Sequence, residues 1–258
     1  MMRSIFTLGV VALLCAAAPL SAQTVPALTP DAQRLPVWAR SIVKIYVRCK
    51  GDPNPWTGAG VIVSAQGDVL TAGHVGSACI GEASTQVRVG LVTNPYREPD
   101  ETFTATFTRR ASDDSVTPTS AQVNSSSRRD LALLRISAPA GTVFPFAPLQ
   151  RANPLPGAAV VVAGFSNTPF EGQSPTMIAG LTLFASNLIS VAADGNMRAY
   201  RLHYGGGTMI GASGGPVFDQ AGSVIGVHSA RRDKGPADLL TNYGWATSVR
   251  SIPADWGI

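Results

Sequence analysis

Along residues 41–49 (SIVKIYVRC) the side chains alternate: Val43, Ile45, Val47 and Cys49 fall on one side, and Ile42, Lys44, Tyr46 and Arg48 on the other. A period of two marks a strand, here with one clearly apolar face. A Gly/Pro turn (GDPNPWTG) follows, then a short strand at 59–63 (AGVIV), a tight QGD turn and a returning strand at 69–71. Further strands are predicted at 85–92, 102–108 and 130–136 (DLALLRI), with a polar exposed loop at 111–127 between the last two. Residues 138–158 are rich in Pro and Ala and form the best internal boundary. Beyond it the habit repeats, with strands predicted at 159–164, 178–184, 188–191, 197–203, 215–218, 224–227 and 243–249. Roughly six short strands per half, with turn signals between them, predict two all-β units. Periodicity alone fits sandwiches and barrels equally. Helix-like stretches are brief: the turn after Thr71 and the last few residues.

The amino terminus breaks this pattern. Residues 1–22 begin with a positive Arg3 and carry an apolar run at 6–18, too short to span a bilayer comfortably. This reads as an export signal cut after Ala22, which places the mature chain in the periplasm or outside the cell. Residues 23–37 read as an N-terminal arm. Cys15 lies within the signal, and Leu14 before it is too large for a lipid-anchor site. Two cysteines then remain, Cys49 and Cys79, and an exported chain can join them or leave two buried thiols.

Composition narrows the function classes. The 258 residues are 45% hydrophobic and only 14% charged, which suits one or two domains with a sizeable core. The net charge of +4 comes from basic residues scattered mostly as pairs, such as Arg109-Arg110 and Arg231-Arg232. No basic run is long enough to grip a phosphate backbone, so nucleic acid is not an expected partner. No later segment is apolar enough for a membrane span, so none is expected once the signal is removed. No metal-ligand spacing or phosphate loop is present, so neither metal nor cofactor is expected.

Chemistry concentrates in three short segments. Only three histidines exist: His74, His203 and His228. His74 lies in LTAGHVGSAC just past a strand end, Asp130 opens the strand after Arg128-Arg129, and Ser213 lies in the Gly-dense turn GASGGPVF. A serine hydroxyl is a poor nucleophile at neutral pH and needs an imidazole to take its proton. The imidazole needs its second nitrogen held by a carboxylate, which fixes the tautomer and stabilises the imidazolium. The developing oxyanion needs donors, and the N–H groups of Gly211 and Ser213 can share one small space in a turn made cheap by glycine.

In this order TAGHV, RRDLALLRI and GASGGPVF resemble the His, Asp and Ser boxes of trypsin-like (chymotrypsin-fold) serine proteases. The resemblance spans roughly 40–250 and implies two six-stranded antiparallel β-barrels with the active site in the cleft between them. The first barrel is then expected over 38–140, a linker over 141–157, and the second barrel with the C-terminal segment over 158–258. The resemblance assigns His74 as general base then acid, Asp130 as its orienter, Ser213 as nucleophile, and the N–H groups of Gly211 and Ser213 to the oxyanion hole. It implies a monomeric endopeptidase acting on protein or peptide. A catalytically silent two-barrel protein that binds extended peptides is the rival.

The chain departs from the animal digestive pattern in ways that matter. Ala212 stands where those enzymes carry the Asp that pairs with a new N-terminal amine, so that activation switch is not expected. The family's cysteine follows the histidine immediately, whereas Cys79 lies five residues on; a Cys49–Cys79 bridge would still tie down the His74 loop. Gly207 stands where the trypsin branch has an acidic pocket residue, so Lys/Arg preference is not expected. Thr208 and His228 match pocket residues of bacterial glutamyl endopeptidases, where a hydroxyl and a histidine receive the substrate's carboxylate. A glycine-lined pocket would also take small or medium apolar side chains. Ser229 would begin the edge that pairs with substrate backbone. Gly244 and Ala246 would line the pocket wall, and His203 reads as structural.

Overall fold

The computed structural model describes residues 30–51, 55–75, 79, 85–100, 102–111, 129–165, 180–193, 200–205, 211–232 and 243–258. Expectations at 1–29, at most of the 111–127 loop, and at Gly207 and Thr208 lie outside these residues. Twelve strands form two closed antiparallel barrels of six. In the first, β1 (Ile42–Arg48), β2 (Trp56–Ile62), β3 (Asp68–Thr71), β4 (Gln86–Leu91), β5 (Phe103–Ala111) and β6 (Leu131–Ser137) close in the order β1-β2-β3-β6-β5-β4. The second holds β7 (Ala159–Phe165), β8 (Leu181–Ala193), β9 (Tyr200–Gly205), β10 (Pro216–Phe218), β11 (Val224–Arg232) and β12 (Tyr243–Ser248), in the order β10-β11-β12-β9-β8-β7. The choice between sandwich and barrel is thus settled for two barrels, and β11 runs on past its ladder with β10, which ends at Val227.

The largest departure from the sequence pattern is β8. Two strands are predicted at 178–184 and 188–191, with Ala185, Ser186 and Asn187 between them. Instead β8 runs unbroken for 13 residues. Its first part pairs with β7 through Asn187, and its second pairs with β9 from Leu188 onward, with a register shift between Leu188 and Ser190. Its backbone therefore finds partners across the polar residues, and backbone pairing rather than side-chain polarity decides its length. Within the predicted arm, Pro30–Arg34 forms a short helix, α1, and a 3-10 turn at Val37–Ser41 leads from the end of the arm into β1.

β1 also differs from its half-buried pattern, because both of its faces are covered. Lys44 is nearly inaccessible; its ammonium lies 2.5 Å from Glu98 and stacks near the rings of Tyr46 and of Phe165 from the second barrel. The Tyr46 hydroxyl donates its one proton to the Pro99 carbonyl at 2.5 Å and lies 2.9 Å from Glu98 Oε1. A buried ammonium with a carboxylate and π faces around it avoids the cost of an unpaired buried charge.

One apolar cluster fills the first barrel and continues through Ala163, Phe165, Phe218 and Trp256 into the contact between the barrels. A second, smaller cluster fills the other barrel around Val162, Leu202, Tyr204 and Ile225. The Pro- and Ala-rich connection is stitched to both: Ala147 N–H donates to Ile62, Val224 N–H to Pro148, and Gly157 N–H to Leu188. These bonds limit how far the barrels can shift against each other, which matters for a site assembled from both.

Candidate active site

β3 pairs with β6 so that Thr71 lies opposite Ala132. The chain leaving β3 therefore turns directly beside the chain entering β6, and His74 meets Asp130. The turn Ala72-Gly73-His74-Val75 closes with Val75 N–H on the Ala72 carbonyl at 3.1 Å. A Cβ on Gly73 would lie 3.1 Å from Asp130 Oδ1 and 3.2 Å from the Leu131 nitrogen, so glycine lets the carboxylate sit close against the turn.

Asp130 grips His74 twice. Its Oδ1 accepts the His74 backbone N–H at 2.8 Å, and its Oδ2 lies 2.7 Å from the ring Nδ1. The carboxylate is a pure acceptor when ionised, so Nδ1 carries the proton and Nε2 is left as the basic nitrogen. Asp130 is buried, while the His74 side chain keeps 23% of its surface exposed, enough to meet a substrate. Burial by itself would lower the His74 pKa, but the charge and hydrogen bond of Asp130 outweigh it and hold the imidazole above its ordinary 6.5, with Arg110 opposing them. Burial by itself would raise the Asp130 pKa; the His74 charge, its ring and backbone hydrogen bonds, and a hydrogen bond from Ser229 bring it below its ordinary 3.8.

Ser213 comes from the other barrel, half-buried in the turn that leads to β10. Its carbonyl accepts the Ala59 N–H of β2 at 2.8 Å, across the boundary between barrels. A Cβ on Gly58 would touch both Val75, next to His74, at 2.9 Å and the Ser213 carbonyl at 3.1 Å. The Ser213 turn and the His74 turn thus lie against the same point of β2. Gly214 adopts φ +82, and a Cβ there would lie 2.1 Å from Thr71 Oγ1 and 2.3 Å from the Ala59 carbonyl. Gly211 also takes a left-handed φ of 100. Both positions require glycine.

The turn is also tied to its own barrel. Gly214 N–H donates to the His228 carbonyl at 2.8 Å, His228 N–H to the Gly215 carbonyl at 2.7 Å, and Gly215 N–H to the Ala212 carbonyl at 2.8 Å. Among the described residues no backbone acceptor meets the N–H of Gly211 or Ser213.

The remaining sequence candidates separate. His228 and Ser229 are buried, as are Gly244 and Ala246 on β12; Ala246 lies opposite His228 in the ladder. Ser229 is the extra residue where the β11–β12 register shifts between His228 and Ala230. Such a bulge re-aims a side chain: its hydroxyl lies 3.2 Å from Thr247 Oγ1 and helps hold Asp130 ionised. Sequence reasoning placed Ser229 on the substrate edge and missed this role for its side chain, because a bulge leaves no periodic signal. Arg110, in the sequence only one of a scattered basic pair, gave no such signal either. On β5 Arg110 lies opposite Ala132, and it shares the field of Asp130 and His74. His203 is half-buried with Nδ1 3.0 Å from Ser190 Oγ, a partner that fits its structural reading. Cys49 and Cys79 form a disulfide that closes a separation of 30 residues and anchors the chain beyond His74.

Comparison with known proteins fits this geometry. A family model for the trypsin-like peptidase domain matches residues 58–227. The Rv3671c protease from M. tuberculosis in its active form has a similar structure, with a TM-score of 0.56 and 18% identity over 96% of this chain and 89% of that one. The serine endoprotease from Yersinia pestis is similar with a TM-score of 0.53 and 21% identity, over 81% of this chain and 59% of that one. Among curated proteins none matches this chain at a significant level. With the family matched over about two thirds of its length and both barrels in place, the chain belongs to the trypsin-like peptidase family and is a serine endopeptidase.

Proposed function

We propose that this endopeptidase works through an acyl-enzyme on Ser213 and prefers Glu or Asp before the cut. Ser213 Oγ attacks the scissile carbonyl carbon while His74 Nε2 takes the hydroxyl proton. The carbonyl oxygen, now an oxyanion, is received by the N–H groups of Gly211 and Ser213. As the C–N bond breaks, His74 returns the proton to the leaving amine. Water then repeats the sequence on the ester, yielding the carboxylic acid and free Ser213. Asp130 keeps Nδ1 protonated throughout and stabilises the imidazolium between the steps.

The observation that carries this reading is the double contact from Asp130 to the His74 backbone and ring at 2.8 and 2.7 Å, which leaves Nε2 as the one basic ring nitrogen. A silent peptide-binding protein would have no use for a base prepared in this way. The preference for an acidic side chain rests on the match of Thr208 and His228 to the pocket donors of glutamyl endopeptidases, with Gly207, Gly244 and Ala246 as small residues of the same pocket. Ser229 contributes backbone to the substrate-pairing edge while its side chain serves Asp130. The apolar run behind Arg3 supports export of the chain to the periplasm or beyond, where it acts as a monomer without a cofactor.

Cleavage profiling on a peptide library, with Ser213→Ala as control, tests the proposal. Enrichment of Glu or Asp before the cut, lost in the control, is the expected result. Cleavage by the control overturns Ser213 as nucleophile. Enrichment of small or apolar residues instead overturns the acidic pocket and leaves the acyl-enzyme reading standing.

A further inference from the structure

The second barrel holds a buried tyrosine that the acyl-transfer chemistry does not use. Tyr204 is 0% exposed, on β9, just before the glycines that lead toward Thr208. In the ladder it stands between Leu188 of β8 and Gly244 of β12. Its hydroxyl is hydrogen-bonded to Nδ1 of His228, and the two ring centroids lie 6.1 Å apart. The residues on either side fix β9 from the outer face: His203 Nδ1 lies 3.0 Å from Ser190 Oγ, and Ser186 Oγ donates to the Gly205 carbonyl. His228 is fixed independently, since its backbone N–H and carbonyl are both engaged by the turn after Ser213. Two rigid strands thus present one phenol to one imidazole nitrogen.

A phenol has a single proton to give. Burial pushes Tyr204 well above the ordinary tyrosine value, so it remains a neutral O–H. Among the described residues its hydroxyl has no hydrogen-bond partner other than His228. If Nδ1 carried a proton, the phenol would have to accept it, and its own O–H would lose that acceptor in a buried site, which is unfavourable. The arrangement with both groups satisfied has the phenol donating to a bare Nδ1. The neutral imidazole then carries its proton on Nε2.

We propose that Tyr204 is a positioning residue for substrate selection: its phenol O–H donates to His228 Nδ1 and so holds the imidazole in the tautomer that offers an Nε2–H to an acidic substrate side chain. This rests on the reading of His228 as a carboxylate receiver. The other tautomer would present a lone pair to the substrate carboxylate and repel it. Tyr204 therefore contributes to selectivity without touching substrate.

Two peptides that differ only by Glu or Gln before the cut test this, since the two side chains have nearly the same shape. The readout is the Glu:Gln ratio of kcat/KM for the native protein, Tyr204→Phe and His228→Gln. Tyr204→Phe removes one oxygen, and the ratio is expected to fall about tenfold, the scale of one buried hydrogen bond. A merely structural role would lower both rates and leave the ratio unmoved, which overturns the proposal. A native ratio near one overturns the acidic-pocket reading and the proposal with it. A native preference abolished by His228→Gln but kept by Tyr204→Phe overturns the Tyr204 role alone. Nitrogen-15 spectra of the native protein, with His228 assigned by its loss in His228→Gln, read the tautomer even if Tyr204→Phe does not fold. A bare Nδ1 with Nε2–H supports the proposal, and a protonated Nδ1 overturns it.

Discussion

Replacing Asp130 with Asn tests the His74 geometry with almost no change of shape. The carboxylate serves two donors, the His74 backbone N–H at 2.8 Å and the ring Nδ1 at 2.7 Å. An amide has one oxygen only. The backbone N–H cannot become an acceptor, so the oxygen must stay with it and the NH2 must face Nδ1. Nδ1 then accepts, the ring proton moves to Nε2, and the base that should take the Ser213 proton is gone. Restoring the active tautomer means turning the amide so that NH2 faces the backbone N–H in a buried site, an unmet pair costing about 1–3 kcal/mol. The charge-assisted bond to the imidazolium is lost as well, about 1.5–3 kcal/mol. Together these place the loss at about 2.5–6 kcal/mol, about 10²–10⁴-fold in kcat.

The assay is kcat on a cleaved peptide, with circular dichroism to check folding, repeated across pH. In the native protein burial pushes His74 down but Asp130 more than compensates, so the imidazole titrates above 6.5. The neutral ring is the working form, so kcat/KM rises with pH through a midpoint above 6.5. Without the Asp130 charge only the lowering influences remain, and any residual activity titrates lower. A folded Asp130→Asn protein with kcat within about tenfold of native, or with an unmoved midpoint, refutes the reasoning.

Two further outcomes follow from the packing. Gly214→Ala places a Cβ 2.1 Å from Thr71 Oγ1 at φ +82, whereas Gly141→Ala has a similar φ of +85 and nothing within 4 Å. Both incur the left-handed penalty of about 1–2 kcal/mol. Urea denaturation should therefore show Gly214→Ala as the worse by at least about 2 kcal/mol, the scale of overpacking, and equal losses would contradict the inter-barrel contact. Replacing both Cys49 and Cys79 by Ser opens a loop of 30 residues and should lower stability by about 3–4 kcal/mol. Thermal melts should then fall by about 7–14 °C, and an unchanged Tm would show that the bridge does not constrain the unfolded chain.

Much of this fold was legible because its strands are short and bounded by strong turn signals. The alternation of 41–49 and the QGD turn became β1 and the β2–β3 hairpin. What failed has physical causes. Ala185, Ser186 and Asn187 fall between two predicted strands, yet ladders with β7 and β9 carry β8 through them. Lys44 falls opposite the apolar face in the alternation, yet it is buried, and Glu98 and the aromatic rings around it make that tolerable. The contact between His74 and Asp130 was legible from the motifs because the β3–β6 pairing needs only the two strands that carry them. The roles of Ser229 and Tyr204 were not, since one depends on a register shift and the other on two inward side chains meeting across a barrel.

The most direct measurement is the site of covalent labelling by phenylmethanesulfonyl fluoride, mapped by mass spectrometry on the native protein and on His74→Ala. A serine activated by the His74 imidazole should take one sulfonyl group at Ser213 in the native protein and almost none in the variant. Native protein that stays unlabelled at Ser213, or a folded His74→Ala protein that labels there equally fast, would contradict the claim that these two turns form one catalytic unit.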